Sequence, residues 1–356
     1  MSSKGKDFLR KCFIRDPNKG WTAKMFVSFA VSLLPTMYSS GASLLSCSSR
    51  NWKKVKVLGS GSFGIVCLAI PMNLRLSSKL TAIKSSIIQH SKSLQKEERI
   101  LQHFSNCSES IVHCYGNELS IENGYRLYNL ILEYANGGDL FDLIHSHPAG
   151  RLPEHDVQNY TRMILKGLHC IHEQGYVHCD LKPENILVFR TQYGTQLKIS
   201  DFGLAKEPGK EDEFMKEYSN EFRFRGTPLY MSPESVAFGE MIEAPLDIWS
   251  LGCIVINMMT GKYAWPSKMK MDLVRLLAFS NKEPELPRHM SAKGKDFLRK
   301  CFIRDPRKRW TAKMLLNHPF VADQNPYNKM NAMNCSQSQI ARFSLQVESG
   351  SRCGFA

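Results

Sequence analysis

Apolar and small residues alternate through "VKVLGSGSFGIVCLAI" (55–70) on either side of a glycine-rich centre. That period of two predicts strand, tight turn, strand. "LTAIKS" (80–85) predicts a further short strand, interrupted by Lys84. The period then changes: in "SLQKEERILQHF" (93–104) Leu94, Ile100, Leu101 and Phe104 form one apolar stripe at helical spacing, with Glu97 on its flank. Glu98 reads as an ordinary solvated helix charge. "LDIWSLGCIVINMM" (246–259) is a second helix, and "HPAG" (147–150) and "TQYGTQ" (191–196) read as turns.

One segment occurs twice. Residues 1–25, "MSSKGKDFLRKCFIRDPNKGWTAKM", return at 290–314 with only Ser3/Ala292, Asn18/Arg307 and Gly20/Arg309 differing. Two distant copies do not make a solenoid, whose units must stack on one another. Near-identity stops abruptly after Met25, as a recent duplication or a misjoined gene would leave it, and about 25 residues bury too little surface to fold alone. Residues 1–50 are therefore expected to be a disordered or loosely docked extension. The tail 321–356, with "NPYNKMNAMNCSQSQ", is rich in Asn, Gln and Ser without period and is expected to be disordered.

Composition narrows the class. The chain has 356 residues, 43% hydrophobic and 22% charged, enough for a sizeable soluble core. Its formal charge is +14, but residues 1–25 contribute five of those charges, with seven Lys/Arg against two Asp. Without a dense basic cluster interleaved with aromatics or zinc-finger spacing, a solvated basic surface is expected, not a nucleic-acid interface. An acidic protein partner or a phosphate ligand fits the same excess. Eleven cysteines without a C-x-x-C pair point to reduced thiols, in the cytoplasm or nucleus. The apolar run "MFVSFAVSLLPTMY" (25–38) falls short of the ~20 residues of a membrane span and contains a proline. A signal peptide is the alternative for that run; the long preceding basic region, with Phe8, Phe13 and Trp21, weighs against it.

Chemistry enters at the glycines. Gly59, Gly61 and Gly64 make G-x-G-x-x-G, but the strand-like "IVCLAI" after the third makes this a hairpin and not the start of a helix. Such a turn lets backbone N–H groups approach phosphate oxygens. Lys84 needs a partner in a buried strand, and Glu97 can hold it toward the α- and β-phosphates of a nucleotide. The sharpest signal is "HCDLKPENILVF" (178–189) followed by "KISDFGLAK" (198–206). Four fixed residues, His178, Asp180, Lys182 and Asn185, recur by chance in about 1 in 450 chains of this length, and D-F-G makes coincidence remoter still. Phosphoryl transfer needs a carboxylate to orient a hydroxyl and take its proton, a role suited to Asp180. It needs hard oxygen ligands for Mg²⁺, which Asn185 and Asp201 supply. Lys182, two residues from Asp180, can reach the γ-phosphate.

These motifs resemble those of eukaryotic protein kinases. The likeness runs over about 52–320, with Gly59, Gly61, Gly64, Val66, Lys84, Glu97, Asp180, Asn185 and Asp201 in order. It implies an α+β, two-lobed fold: a small β-rich lobe with one helix (51–134), a large helical lobe (135–320), and ATP in the cleft. It also implies that Leu58, Val66 and Ala82 line the nucleotide site. "LILEY" (130–134) becomes the last strand before a hinge, where Glu133 to Ala135 offer backbone bonds to the base beside Leu132. "DLKPEN" and "GTPLYMSPE", with Thr227 bracing Asp180 and Lys182, are similar to serine/threonine kinases. "GYVHCDLKPENIL", "RGTPLYMSPE", "DIWSLGCIVINMMTGKYAW" and "KDFLRKCFIRDPRKRWTAKMLLNHPF" together resemble the compact mitogen-activated protein kinase kinase kinases of plants. That likeness implies a monomeric enzyme without a membrane span, whose protein substrate is a MAP kinase kinase.

Departures matter too. Cys179 stands where many kinases have an arginine that pairs with a phosphate on the activation loop, so dependence on such a phosphate, for instance at Ser219, is not expected. Ser232 and Thr81 are small-for-small changes. The resemblance makes Asp247 and Trp249 a core anchor for the catalytic loop, places a helix over Asp296–Cys301, and pairs Arg309 with Glu234. His113, His169 and His172 read as structural. The rival reading is a pseudokinase scaffold of the same fold, which predicts loss of Lys84, Asp180, Asn185 or Asp201; all four are present.

Overall fold

The computed structural model describes residues 51–61, 64–72, 79–210, 225–236, 242–265 and 270–322. The extension 1–50 with the first copy of the repeat, Ser219, and the tail beyond residue 322 lie outside the described residues.

Strands β1 (Trp52–Gly61), β2 (Gly64–Pro71) and β3 (Thr81–Ile87) lead through a short 3₁₀ turn (Ile88–His90) into α1 (Lys92–Phe104), followed by β4 (Cys114–Glu122) and β5 (Tyr125–Glu133). The strands form one antiparallel sheet in the order β1-β2-β3-β5-β4. Registers Val66↔Lys84, Lys84↔Leu130, Leu68↔Ala82 and Ala82↔Leu132 set Val66, Lys84, Ala82 and Leu132 on one face, because directly paired residues share a side of the pleat. The opposite face carries a buried polar cluster: Lys54 Nζ lies 2.9 Å from Glu122 Oε1, and Asn129 accepts from Ser85 Oγ at 2.7 Å.

In α1 the apolar stripe Leu94, Ile100, Leu101 and Phe104 is buried, as its spacing dictates. Glu98 departs from the solvated reading. It is 8% exposed, accepting from Asn117 Nδ2 at 2.6 Å, from Gln102 Nε2 at 2.9 Å and from Tyr128 Oη. The cause is that α1 packs against β4 and β5 as well as the core, so a second flank leaves water.

The large lobe contains α2 (Leu140–Ser146), α3 (Glu154–Glu173), the hairpin of β6 (Ile186–Thr191) and β7 (Gly194–Ile199), and α4 (Pro233–Val236). It continues with α5 (Pro245–Thr260), α6 (Lys270–Phe279), α7 (Ala292–Cys301) and α8 (Ala312–Leu316). Helix α5 is buried on nearly every side and forms the lobe's axis. The turn at 191–196 is shorter than its composition implies. Thr191 pairs with Gly194, and the Thr191 hydroxyl donates to Gly194 O at 2.9 Å, so Thr195 and Gln196 already belong to β7. No helix among the described residues is long and apolar enough to cross a membrane.

Candidate active site

The glycine turn is built from two kinds of glycine. Gly64 has φ +139°, and a Cβ there would collide with the Ser85 carbonyl, so the β1–β2 hairpin closes over β3 only with glycine at that position. Gly59 and Gly61 have open space where a Cβ would stand, which leaves their backbone approachable by a ligand. Leu58, 40% exposed, borders this turn, and Val66 and Ala82 lie behind it against the core.

Lys84 joins the lobes. Its Nζ is 2.6 Å from Glu97 Oε2 on α1 and 3.0 Å from Asp201 Oδ1 in the large lobe. Burial alone would favour the neutral amine, but Asp201 and Glu97 outweigh it and hold the ammonium charged. Burial pushes the Glu97 carboxyl up, with Lys84 opposing. For Asp201 burial acts in the same direction, yet the ammonium prevails and holds it below the usual carboxylate range.

The catalytic loop is held from beneath by α5. Asp247 accepts from the backbone N–H of His178 at 2.9 Å and of Cys179 at 3.0 Å, and from His172 Nε2 at 2.9 Å. Although burial works against the charge, the His172 bond holds its carboxyl below the ordinary range. His178 Nε2 donates to Ser200 O at 2.9 Å while Nδ1 accepts from Asp180 N at 3.3 Å, which defines a neutral tautomer. This bracing allows two non-glycine residues, Cys179 (φ +67°) and Asp201 (φ +63°), to take left-handed conformations beside the site.

Asp180 sits at the centre. Thr227 Oγ1 donates to its Oδ1 at 2.7 Å, Lys182 Nζ lies 3.2 Å from its Oδ2, and Lys182 also donates to Thr227 Oγ1 at 3.1 Å. Asn185 Nδ2 donates to Asp180 O at 2.8 Å, which turns Oδ1 of that amide away as a possible ligand. Asn185 Oδ1 and the Asp201 carboxylate are both oxygens of the hard type that Mg²⁺ prefers.

The Glu133 N–H donates to His113 O at 3.0 Å and so is not free to meet a base. Its side chain accepts from Lys198 Nζ at 2.8 Å and from the His113 N–H at 2.6 Å. Sequence reading assigned nothing to Lys198, nor to Ser200, whose N–H and hydroxyl both bond Asn185 O at 2.9 and 3.0 Å. Both flank the D-F-G motif, which was the available signal.

Residues 52–321 match the family described as "Protein kinase domain". The proteins similar to the chain include three of Arabidopsis thaliana. Mitogen-activated protein kinase kinase kinase 20 is 40% identical over 274 residues, 76% of this chain and 78% of the relative. Mitogen-activated protein kinase kinase kinase 17 is 40% identical over 277 residues, covering 76% and 69%. Mitogen-activated protein kinase kinase kinase 18 is 38% identical over 285 residues, covering 78% and 79%.

Proposed function

The chain belongs to the protein kinase family and is a serine/threonine kinase of mitogen-activated cascades; from that premise we propose that it is catalytically active and phosphorylates a MAP kinase kinase, using ATP and Mg²⁺. The observation that carries this reading is Lys84, held charged between Glu97 and Asp201 at 2.6 and 3.0 Å.

In this reading Asp180 accepts a hydrogen bond from the substrate hydroxyl and takes its proton as the new O–Pγ bond forms and the bond to the β-phosphate oxygen breaks, releasing ADP. Lys182, anchored by Asp180 and Thr227, faces the transferring phosphoryl group. Lys84 holds the α- and β-phosphates. Mg²⁺, carried by Asn185 and Asp201, would neutralise charge on the phosphate oxygens. Gly59, Gly61 and Gly64 cover the phosphates; Leu58, Val66 and Ala82 enclose the base, with the Glu133 carbonyl and Ala135 bonding its edge.

The test is phosphate transfer from ATP to a panel of catalytically inactive MAP kinase kinases, with wild type and Asp180→Asn compared. Wild type is expected to modify Ser or Thr in at least one member and Asp180→Asn none. Binding of ATP without any transfer by wild type would leave a silent scaffold instead.

A further inference from the structure

The segment that follows Asp201 leaves the described residues after Lys210 and re-enters at Arg225, and its two ends meet over the catalytic loop. Arg225 is 8% exposed and its Nε donates to Leu204 O at 2.6 Å. The second end lies against Cys179. The backbone at Gly226 (φ +110°) crosses so close that a Cβ there would stand 2.5 Å from Cys179 O. Burial pushes the Cys179 thiol up to about 12, with Arg225 pulling the other way, which puts the guanidinium's field on a side chain that stays neutral. Cys179 Sγ points to Val177 O at 3.4 Å and offers no charge of its own. The start of the segment is fixed again two residues on: Lys206 N donates to Val177 O at 2.8 Å and Lys206 Nζ to Ile242 O at 2.8 Å.

We propose that Arg225 is a positioning residue that ties the end of this segment to its beginning across the Cys179 backbone, so that the catalytic loop is set without a phosphate. The inference rests on the kinase reading. Its logic is a chain of neighbours. Arg225 fixes Gly226 against Cys179 O, Gly226 fixes Thr227, and Thr227 Oγ1 reaches Asp180 Oδ1 at 2.7 Å. One acceptor of the guanidinium, the Leu204 carbonyl, is part of the fold, so this link needs nothing added to the chain. A charge-assisted bond to a buried carbonyl is also stronger than its neutral counterpart.

The experiment uses the full chain, with and without phosphatase treatment, and dephosphorylated casein as acceptor. Wild type, Arg225→Gln and Arg225→Lys are compared for kcat, KM for ATP, melting temperature and amide exchange at Ala205 to Glu207. Phosphatase-treated wild type is expected to keep its kcat. Arg225→Gln is expected to lose about tenfold or more in kcat with KM for ATP little changed, because misplacement of the loop acts on the reacting geometry. Arg225→Lys should recover part of that loss, and exchange at Ala205 to Glu207 should quicken in the Gln variant. If the Gln variant does not fold, the Lys variant carries the test: a reduced kcat that phosphatase does not alter. Wild-type kcat in Arg225→Gln, or loss of wild-type activity on phosphatase treatment, would overturn the inference. Absence of transfer by untreated wild type to casein and to the panel of inactive MAP kinase kinases alike would instead overturn the kinase reading.

Discussion

Arg309 grips Glu234 at two points, Nη1 to Oε1 at 2.5 Å and Nη2 to Oε2 at 3.0 Å, with its side chain wholly buried. It also donates to Ile303 O at 2.8 Å and Pro245 O at 2.7 Å, and its guanidinium lies 5.1 Å from the centre of the Trp249 ring. One cation thus joins α4, α5 and the loop after α7. The other copy of the repeat has glycine at the matching position, Gly20. Placing that residue here, Arg309→Gly, strands Glu234 and the backbone carbonyls of Ile303 and Pro245. It should cost about 3–5 kcal/mol, the usual penalty for removing one partner of a buried pair. Denaturant unfolding checks this, and a double-mutant cycle with Glu234→Gln separates the pair from the carbonyl bonds.

The contact of Lys84 with both Glu97 and Asp201 makes the three side chains one unit. Lys84→Met leaves two carboxylates facing one another near the nucleotide phosphates. It should lower kcat/KM by about 10²–10³, the scale of losing one fixed charge from a phosphoryl clamp. Glu97→Gln keeps a hydrogen bond but removes the charge, so a smaller loss is expected. Steady-state kinetics on the two variants and their double mutant should show losses well short of additive, the mark of groups that act together.

The residues that carry chemistry were readable because they are set at fixed spacing along loops: Asp180, Lys182 and Asn185 lie within six residues, and Asp201 opens D-F-G. Lys84 and Glu97 were readable as a pair because a charge in an apolar strand demands a partner nearby. What stayed hidden depends on contacts made across long stretches of chain. Glu98 looks like any helix charge until Asn117 and Tyr128 close over it. Lys198 bonds Glu133, 65 positions away, and Arg225 bonds Leu204, 21 positions away, neither leaving a periodic mark. The turn at 191–196 was misjudged in length because Thr195 and Gln196 are turn-like in composition but are claimed by pairing with β6.

Thr227 divides its hydroxyl between Asp180, to which it donates, and Lys182, from which it accepts. Thr227→Ala removes both contacts, and Thr227→Ser keeps the oxygen and loses one methyl. The expected outcome is a loss of about 10²-fold in kcat for Ala and nearly full activity for Ser. Equal losses in the two would show that the methyl, through packing, is the part that matters.

Asp139 gives a pH dependence of definite sign. It caps α2 by accepting from Asp142 N at 2.8 Å, yet burial, with the Asp142 and Glu184 carboxylates adding to it, pushes its carboxyl up to about 6. The folded protein therefore holds a proton that the unfolded chain, near the ordinary 3.8, has released. A raised carboxyl contributes stability that is fully present below the unfolded value and is lost as pH rises through the folded one. Asp139→Asn keeps a capping oxygen without the titration. The melting temperature of the variant relative to wild type should therefore climb between about pH 4 and pH 6 and then level off. Thermal unfolding across that range checks it. A difference that stays constant from pH 4 to pH 7 would place Asp139 among ordinary solvated carboxylates.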